Sequence, residues 1–154
     1  MPLSRTFAIL CLAAVVLAGC GRRGAPRPPQ WVVPRPPTDL AVKNVEGGLE
    51  ISFRRPDRTI DGADMSDLGM LELWRSCEPR PGMFLAAEIP ILDRGTFRKR
   101  TRYTLMDDTP GIGATCVYRV IAVTDDGYRS APVQSEPVRR EPVLPAGATN
   151  TPRD

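Results

Sequence analysis

Between residues 7 and 18 the chain reads FAILCLAAVVLA without one polar side chain. Twelve apolar residues at about 1.5 Å of helical rise cover roughly 18 Å, well short of a hydrocarbon core of about 30 Å. With Arg5 ahead of it, this run predicts a secretory leader rather than a membrane span. Further on, the apolar residues alternate. Leu40 and Val42 stand between polar neighbours, Glu46-Gly47-Gly48 breaks the pattern, and Leu49, Ile51 and Phe53 resume it before Pro56. That predicts two half-buried strands joined as a hairpin. Four more strands are expected around Leu71 and Leu73, in FLAAEIPIL from Phe84, around Tyr103 and Leu105, and in CVYRVIAV from Cys116. A turn at Asp125-Asp126-Gly127 leads to a last strand over residues 132–138. Seven short strands without an amphipathic helix predict an all-β sandwich.

Between leader and strands lies GRRGAPRPPQWVVPRPP, residues 21–37, with prolines at 26, 28, 29, 34, 36 and 37. Proline at that density excludes helix and favours polyproline II, so residues 20–37 read as a linker. Extended at about 3.1 Å per residue, it would reach roughly 50 Å. Trp31, Val32 and Val33 interrupt it, and they either rest at a lipid interface or pack onto the domain. The organisation expected is a leader over 1–19, a linker over 20–37, a folded domain over 38–139 and a disordered tail over 140–154.

Composition narrows the chemistry. There are 21 Lys and Arg against 18 Asp and Glu, and loss of Arg5 with the leader leaves 20 against 18. So balanced a chain carries no nucleic-acid footprint. Histidine is absent, which removes the commonest general base and zinc ligand. Asp107 and Asp108 are adjacent, so on a strand they face opposite ways and cannot flank one scissile bond. Asp57, Asp61, Asp64 and Asp67 crowd one loop, but their spacing fits no EF-hand, and a solvated loop is the expected reading. No nucleophile elbow, phosphate-binding glycine loop or Cys-x-x-Cys pair occurs. These absences argue against an enzyme and against a cofactor or metal site.

The leader closes on Leu17-Ala18-Gly19-Cys20, which resembles the bacterial lipobox. The resemblance implies cleavage before Cys20 and a diacylglycerol on its sulfur. Two or three acyl chains make membrane attachment effectively permanent. Gly21, where inner-membrane retention usually has Asp, implies sorting to the outer membrane, facing the periplasm. The start Cys20-Gly21-Arg22-Arg23-Gly24-Ala25-Pro26 is also similar to LptM-type small lipoproteins of the lipopolysaccharide translocon, with Arg23 for their Lys and Ala25 for their Pro.

The alternating region resembles fibronectin type III domains throughout. PPTDLAV, LEISFRRP, LELWRS and YTLMDDTPGIGATCVYRVIAVTDDGYRSAP follow the family's order and spacing over residues 36–139. The resemblance implies strands A, B and E in one sheet and C, C′, F and G in the other. One departure stands out: the tyrosine that usually opens strand F is replaced by Cys116. Cys11 leaves with the leader and Cys20 takes lipid, so Cys77 and Cys116 remain in an oxidising space that invites one disulfide. The family topology lays C beside F, and parity turns both cysteines toward the core. Their bond would stabilise by roughly 3–4 kcal/mol on the chain-entropy model; two buried free thiols are the alternative.

Two surface features offer binding chemistry. Arg94, Arg98, Lys99, Arg100 and Arg102 cluster beside Phe97 and Tyr103. They suit phosphate, lipid A or acidic glycan, or else guard a sheet edge. Trp74, out of phase with Leu71 and Leu73, is expected to point outward on the sheet that such domains use for partners. The function implied is a non-enzymatic interaction module, bound to the membrane by its N-terminal lipid, that recognises an envelope protein or polymer. The alternative is an accessory of lipopolysaccharide transport or outer-membrane assembly.

Overall fold

The computed structural model describes residues 32–93 and 100–143. The leader, Cys20, Trp31, the Arg94, Arg98 and Lys99 part of the basic cluster and residues 144–154 lie outside the described residues. The described strands are β1 (Thr38–Val45), β2 (Gly48–Arg54), β3 (Leu68–Cys77), β4 (Arg80–Pro90), β5 (Arg102–Asp107), β6 (Thr115–Thr124), β7 (Val133–Gln134) and β8 (Val138–Arg139). One sheet has the order β1-β2-β5; the other runs β4-β3-β6-β7, with β8 also on β6. Every strand pairing is antiparallel. This is the fibronectin type III-like sandwich expected, with β1, β2 and β5 in the places of A, B and E.

Alternation explains the layers. Leu49, Ile51 and Phe53 of β2 and Tyr118, Val120 and Ala122 of β6 are fully buried, each pair separated by a residue on the opposite face. Leu49, Ile51, Phe53 and Val120, withdrawn from water, each contribute about 1.5–3 kcal/mol before the entropy of ordering them. Phe53 and Tyr103, register partners on β2 and β5, stack with ring centroids 6.0 Å apart. At the β1–β2 turn a side chain on Gly48 would place its β-carbon 2.5 Å from the Asp107 carbonyl oxygen. Only glycine lets β2 approach the end of β5 there.

Three boundaries differ from the sequence reading. β4 begins at Arg80, not at Phe84, because the Glu78–Pro79 turn returns the chain directly onto β3, with Cys77 opposite Arg80. The last strand is two pieces. Pro132 and Pro137 offer no amide, and two serines, Ser130 just before the first and Ser135 between them, serve the ladder: Ser135 Oγ accepts from the Tyr118 amide at 3.0 Å and Ser130 Oγ from the Ala122 amide at 3.0 Å. At the N-terminal end, of the two alternatives for Val32 and Val33, packing onto the domain is what the structure shows for Val33. Its carbonyl accepts from the Ile60 amide at 2.9 Å, and the Arg35 amide donates to Arg58. Pro34 is buried. The hydrogen-bonded unit thus extends beyond residues 38–139 at both ends, since Arg140 and Glu141 also bond to the body of the domain.

Candidate partner-binding face

β3 runs away from the pole where Val33 docks, and its odd residues Leu71 and Leu73 fill the core. Its even residues therefore form the outer face of the five-stranded sheet. Glu72 and Trp74 both lie there, as expected for Trp74, but the indole is half-buried rather than free. Trp74 Nε1 donates to Glu72 Oε2 at 2.7 Å, and Arg129 pairs with the same oxygen. Glu72 is 6% exposed, so this carboxylate is shielded by the two donors it holds. Across the sheet Trp74 is opposite Leu85 of β4, which is 44% exposed, and Arg119 of β6. Arg119 reaches Gln134 of β7 at 2.9 Å, and its Nε is buried without a partner among the described residues. Leu85, Trp74, Arg119 and Gln134 thus form a transverse row across four strands. Sequence spacing found Trp74 and missed the rest, because Glu72 and Arg129 lie 57 residues apart.

On the core side of the same sheet, the register places Cys77 opposite Cys116 and Arg75 opposite Tyr118. Cys77 and Cys116 are disulfide-bonded across a separation of 39 residues. Beside them Asp107, 9% exposed, closes the end of β5. It is the strand-end acid of β5, and it faces the core rather than solvent. Arg75 Nη1 sits 2.6 Å from its Oδ2, the Tyr118 hydroxyl donates to that oxygen at 2.7 Å, and the Thr109 amide donates to Oδ1 at 3.1 Å. Burial alone would raise the Asp107 pKa, but the bonds from Tyr118, Arg75 and Thr109 outweigh it and hold the carboxyl below its ordinary value. Burial first, and then the anionic acceptor, push Tyr118 far up. Tyr118 therefore ties β6 to the end of β5, a role for which Cys116 has no hydroxyl. A clue was present: Asp107 shares parity with Tyr103 and Leu105, and a carboxylate in a core-facing position requires a cation or donors.

Outside this cluster an open groove of about 570 Å³ is lined by Arg75, Cys77, Pro79, Phe84, Pro110 and Ala114, among others. The described part of the basic cluster is engaged locally. The Arg100 guanidinium lies 4.7 Å from the centroid of the Tyr103 ring, and Arg102 stands 3.8 Å from Asp39, which Arg54 approaches at 3.1 Å. Asp93 accepts from the Arg100 amide and from Arg55, and these donors lower its pKa. In the acidic loop, Asp61 accepts from Thr59 and from the Ala63 amide, and Asp64 lies 4.0 Å from Arg58. Among the described residues no three metal-ligating side chains converge.

No family model matches the chain, and no curated protein does. Solved structures do. The twitchin kinase region from C. elegans, whose segments include Fn31 and Ig26, aligns with a TM-score of 0.51 at 16% identity over 71% of this chain and 17% of that one. Titin domains A168–A170 align with a TM-score of 0.50 at 22% identity over 71% of this chain and 32% of theirs. The third fibronectin III domain of human KIAA0343 protein covers 82% of this chain and 98% of its own, with a TM-score of 0.44 at 12% identity. The chain spans under a third of the length of the twitchin and titin chains. At these identities the twitchin and titin likenesses show the fold, a fibronectin type III and immunoglobulin-like sandwich, and the fold alone.

Proposed function

We propose that this chain is a non-enzymatic envelope lipoprotein, held by lipid on Cys20 to the outer membrane and facing the periplasm. Its sandwich domain binds a partner protein through the face centred on Trp74. The observation that carries this reading is the locked indole. A tryptophan fixed by Glu72 in the middle of a sheet surface, flanked by Leu85 and Arg119, is a preorganised aromatic anchor with little rotamer entropy left to lose on binding. Tryptophan and arginine dominate such contacts energetically, and a half-buried ring with a satisfied N–H presents area without an exposed polar cost. The second reading, an accessory of lipopolysaccharide transport or outer-membrane assembly, draws less support, since Arg100 and Arg102 are spent on Tyr103 and Asp39.

The test is photocrosslinking in cells from position 121, whose Ile121 lies opposite Glu72 on the same face. One dominant protein adduct is expected. Trp74→Ala should reduce it roughly 30-fold, the effect of losing a hot-spot anchor. Equal yields with and without the indole would remove Trp74 from the interface.

A further inference from the structure

Arg119 is a cation set into the outer face of the five-stranded sheet without an acid to meet it. It is half-buried on β6, in the row that holds Trp74 and Gln134. Among the described residues its acceptor is the neutral amide of Gln134, which Nη2 reaches at 2.9 Å, and Nε is buried with no acceptor. A guanidinium keeps its proton in a protein, so the charge and the buried N–H both stay uncompensated in the free domain. The acids on this face do not serve it. Glu72, one row away on β3, is taken by Trp74 and Arg129. Glu88 stands opposite Glu72 on β4, two strands from β6. With Glu72 and Arg129 cancelling, the face keeps one cation beside Trp74 and one exposed anion, Glu88, on the other side of it.

We propose, resting on the reading that Trp74 centres the partner-binding face, that the partner protein presents an aspartate or glutamate carboxylate to Arg119. Charge complementarity selects this occupant. Because Nε is shut off from water, an anion gains more on this guanidinium than on a freely solvated arginine. A carboxylate matches the planar fork of an arginine. A phosphate or a polyanionic glycan calls for several cations, and here a single one is left while Glu88 repels further negative charge. Gln134 is exposed and holds Nη2 by one neutral hydrogen bond. The incoming carboxylate exchanges that bond for a charge-assisted one and takes Nη1 with its second oxygen. A partner packed on the adjacent indole excludes water from the pair, the setting in which an interfacial charge contact counts most.

The experiment uses the full chain in cells with the photoreactive residue at position 121, which follows Arg119 on the same face of β6. Mass spectrometry of the crosslinked peptides should find an aspartate or glutamate of a different protein beside the crosslinked position. Arg119→Gln should lower the adduct roughly 30-fold, as loss of one partner of a desolvated charge pair does. Arg119→Lys keeps the charge without the fork and should lower it less. Gln134→Glu supplies a competing carboxylate and should lower the adduct about five-fold, the upper worth of an exposed ion pair, whereas Gln134→Ala should leave it at the parental level. Circular dichroism should match the parent in each. Replacing the partner's acid with lysine should abolish capture by the parent, and Arg119→Glu should restore it. Full capture by Arg119→Gln, with capture still lost in Trp74→Ala, would overturn the carboxylate contact and leave the Trp74 face standing. Capture indifferent to both variants would remove the face and the contact together. Adducts made only of this chain's peptides, or a charge exchange that fails to restore capture, would also overturn the proposal.

Discussion

Asp107 is a carboxylate at a core-facing position, and its environment makes the domain's stability depend on pH at both extremes. Its folded pKa is depressed by Tyr118, Arg75 and Thr109. The stability it contributes is therefore present above the unfolded value of about 3.9 and lost as pH falls through the lower folded value. Tyr118 has the opposite sense. Its folded pKa is raised, so its contribution is complete below about 10 and lost as pH climbs beyond that. Tyr118→Phe should cost about 2 kcal/mol at neutral pH, the worth of a hydrogen bond to a charged acceptor. It should also move the acid unfolding midpoint upward, because one of the bonds holding Asp107 low is gone, and weaken the alkaline transition. Arg75→Ala should cost more, about 3–5 kcal/mol, since it leaves a buried charge without its cation. Circular dichroism of the purified chain across pH checks both, and coincident acid midpoints for parent and Tyr118→Phe would contradict this account. The topology implied by the fibronectin-like resemblance, together with parity, made Cys77 and Cys116 legible as partners. It did not reveal Arg75, because a basic residue two positions before a cysteine reads as surface unless its phase with Leu71 and Leu73 is followed through.

At the level of elements, the strands were legible because alternation is a local signal, and the sheet order followed from the fibronectin-like pattern. The contacts closing the two ends were not, because they are made by single residues far apart in sequence. Arg140 shows this best. Its guanidinium donates to the carbonyls of Asp108, Pro110 and Gly47, and its backbone pairs with Gly113 and Ala114. One side chain thus joins the β1–β2 turn to the loop between β5 and β6, while Asn44 and Glu141 exchange two further bonds across 97 residues. In the sequence it sits among prolines after the last apolar alternation, where a tail is the natural reading. Arg140→Ala should destabilise by about 1–2 kcal/mol, since exposed carbonyls recover water in place of the lost donors. A chain ending at Arg139 should lose more and exchange amide hydrogens faster in both loops. Thermal unfolding with hydrogen exchange measures this; an unchanged melting temperature for the truncated chain would show that the clasp carries no stability.

For the whole molecule, the docking of Val33 and Pro34 shortens the free part of the proposed tether. Residues 21–31 separate Cys20 from the described segment, and a polyproline II conformation would give them a reach of about 34 Å at 3.1 Å per residue. Val33 bonds beside the loop that precedes β3, and Trp74 lies six residues along β3 from Leu68, about 20 Å farther on. In the proposed reading the lipid thus fixes a height as well as a compartment, with the Trp74 face carried toward the far end of the domain. Confinement of that kind raises the effective concentration of a partner held at the same height and gives nothing when the linker cannot span the gap. Two variants separate these effects. Cys20→Ser should move the chain from membrane to soluble fractions and so reduce capture from position 121 through loss of confinement. Deleting residues 23–30 keeps Cys20 and the packed segment, so membrane fractionation should be unchanged while capture falls several-fold. If the shortened chain captures its partner as well as the parent does, the tether acts as a leash of no particular length, and the height argument fails while the anchor stands.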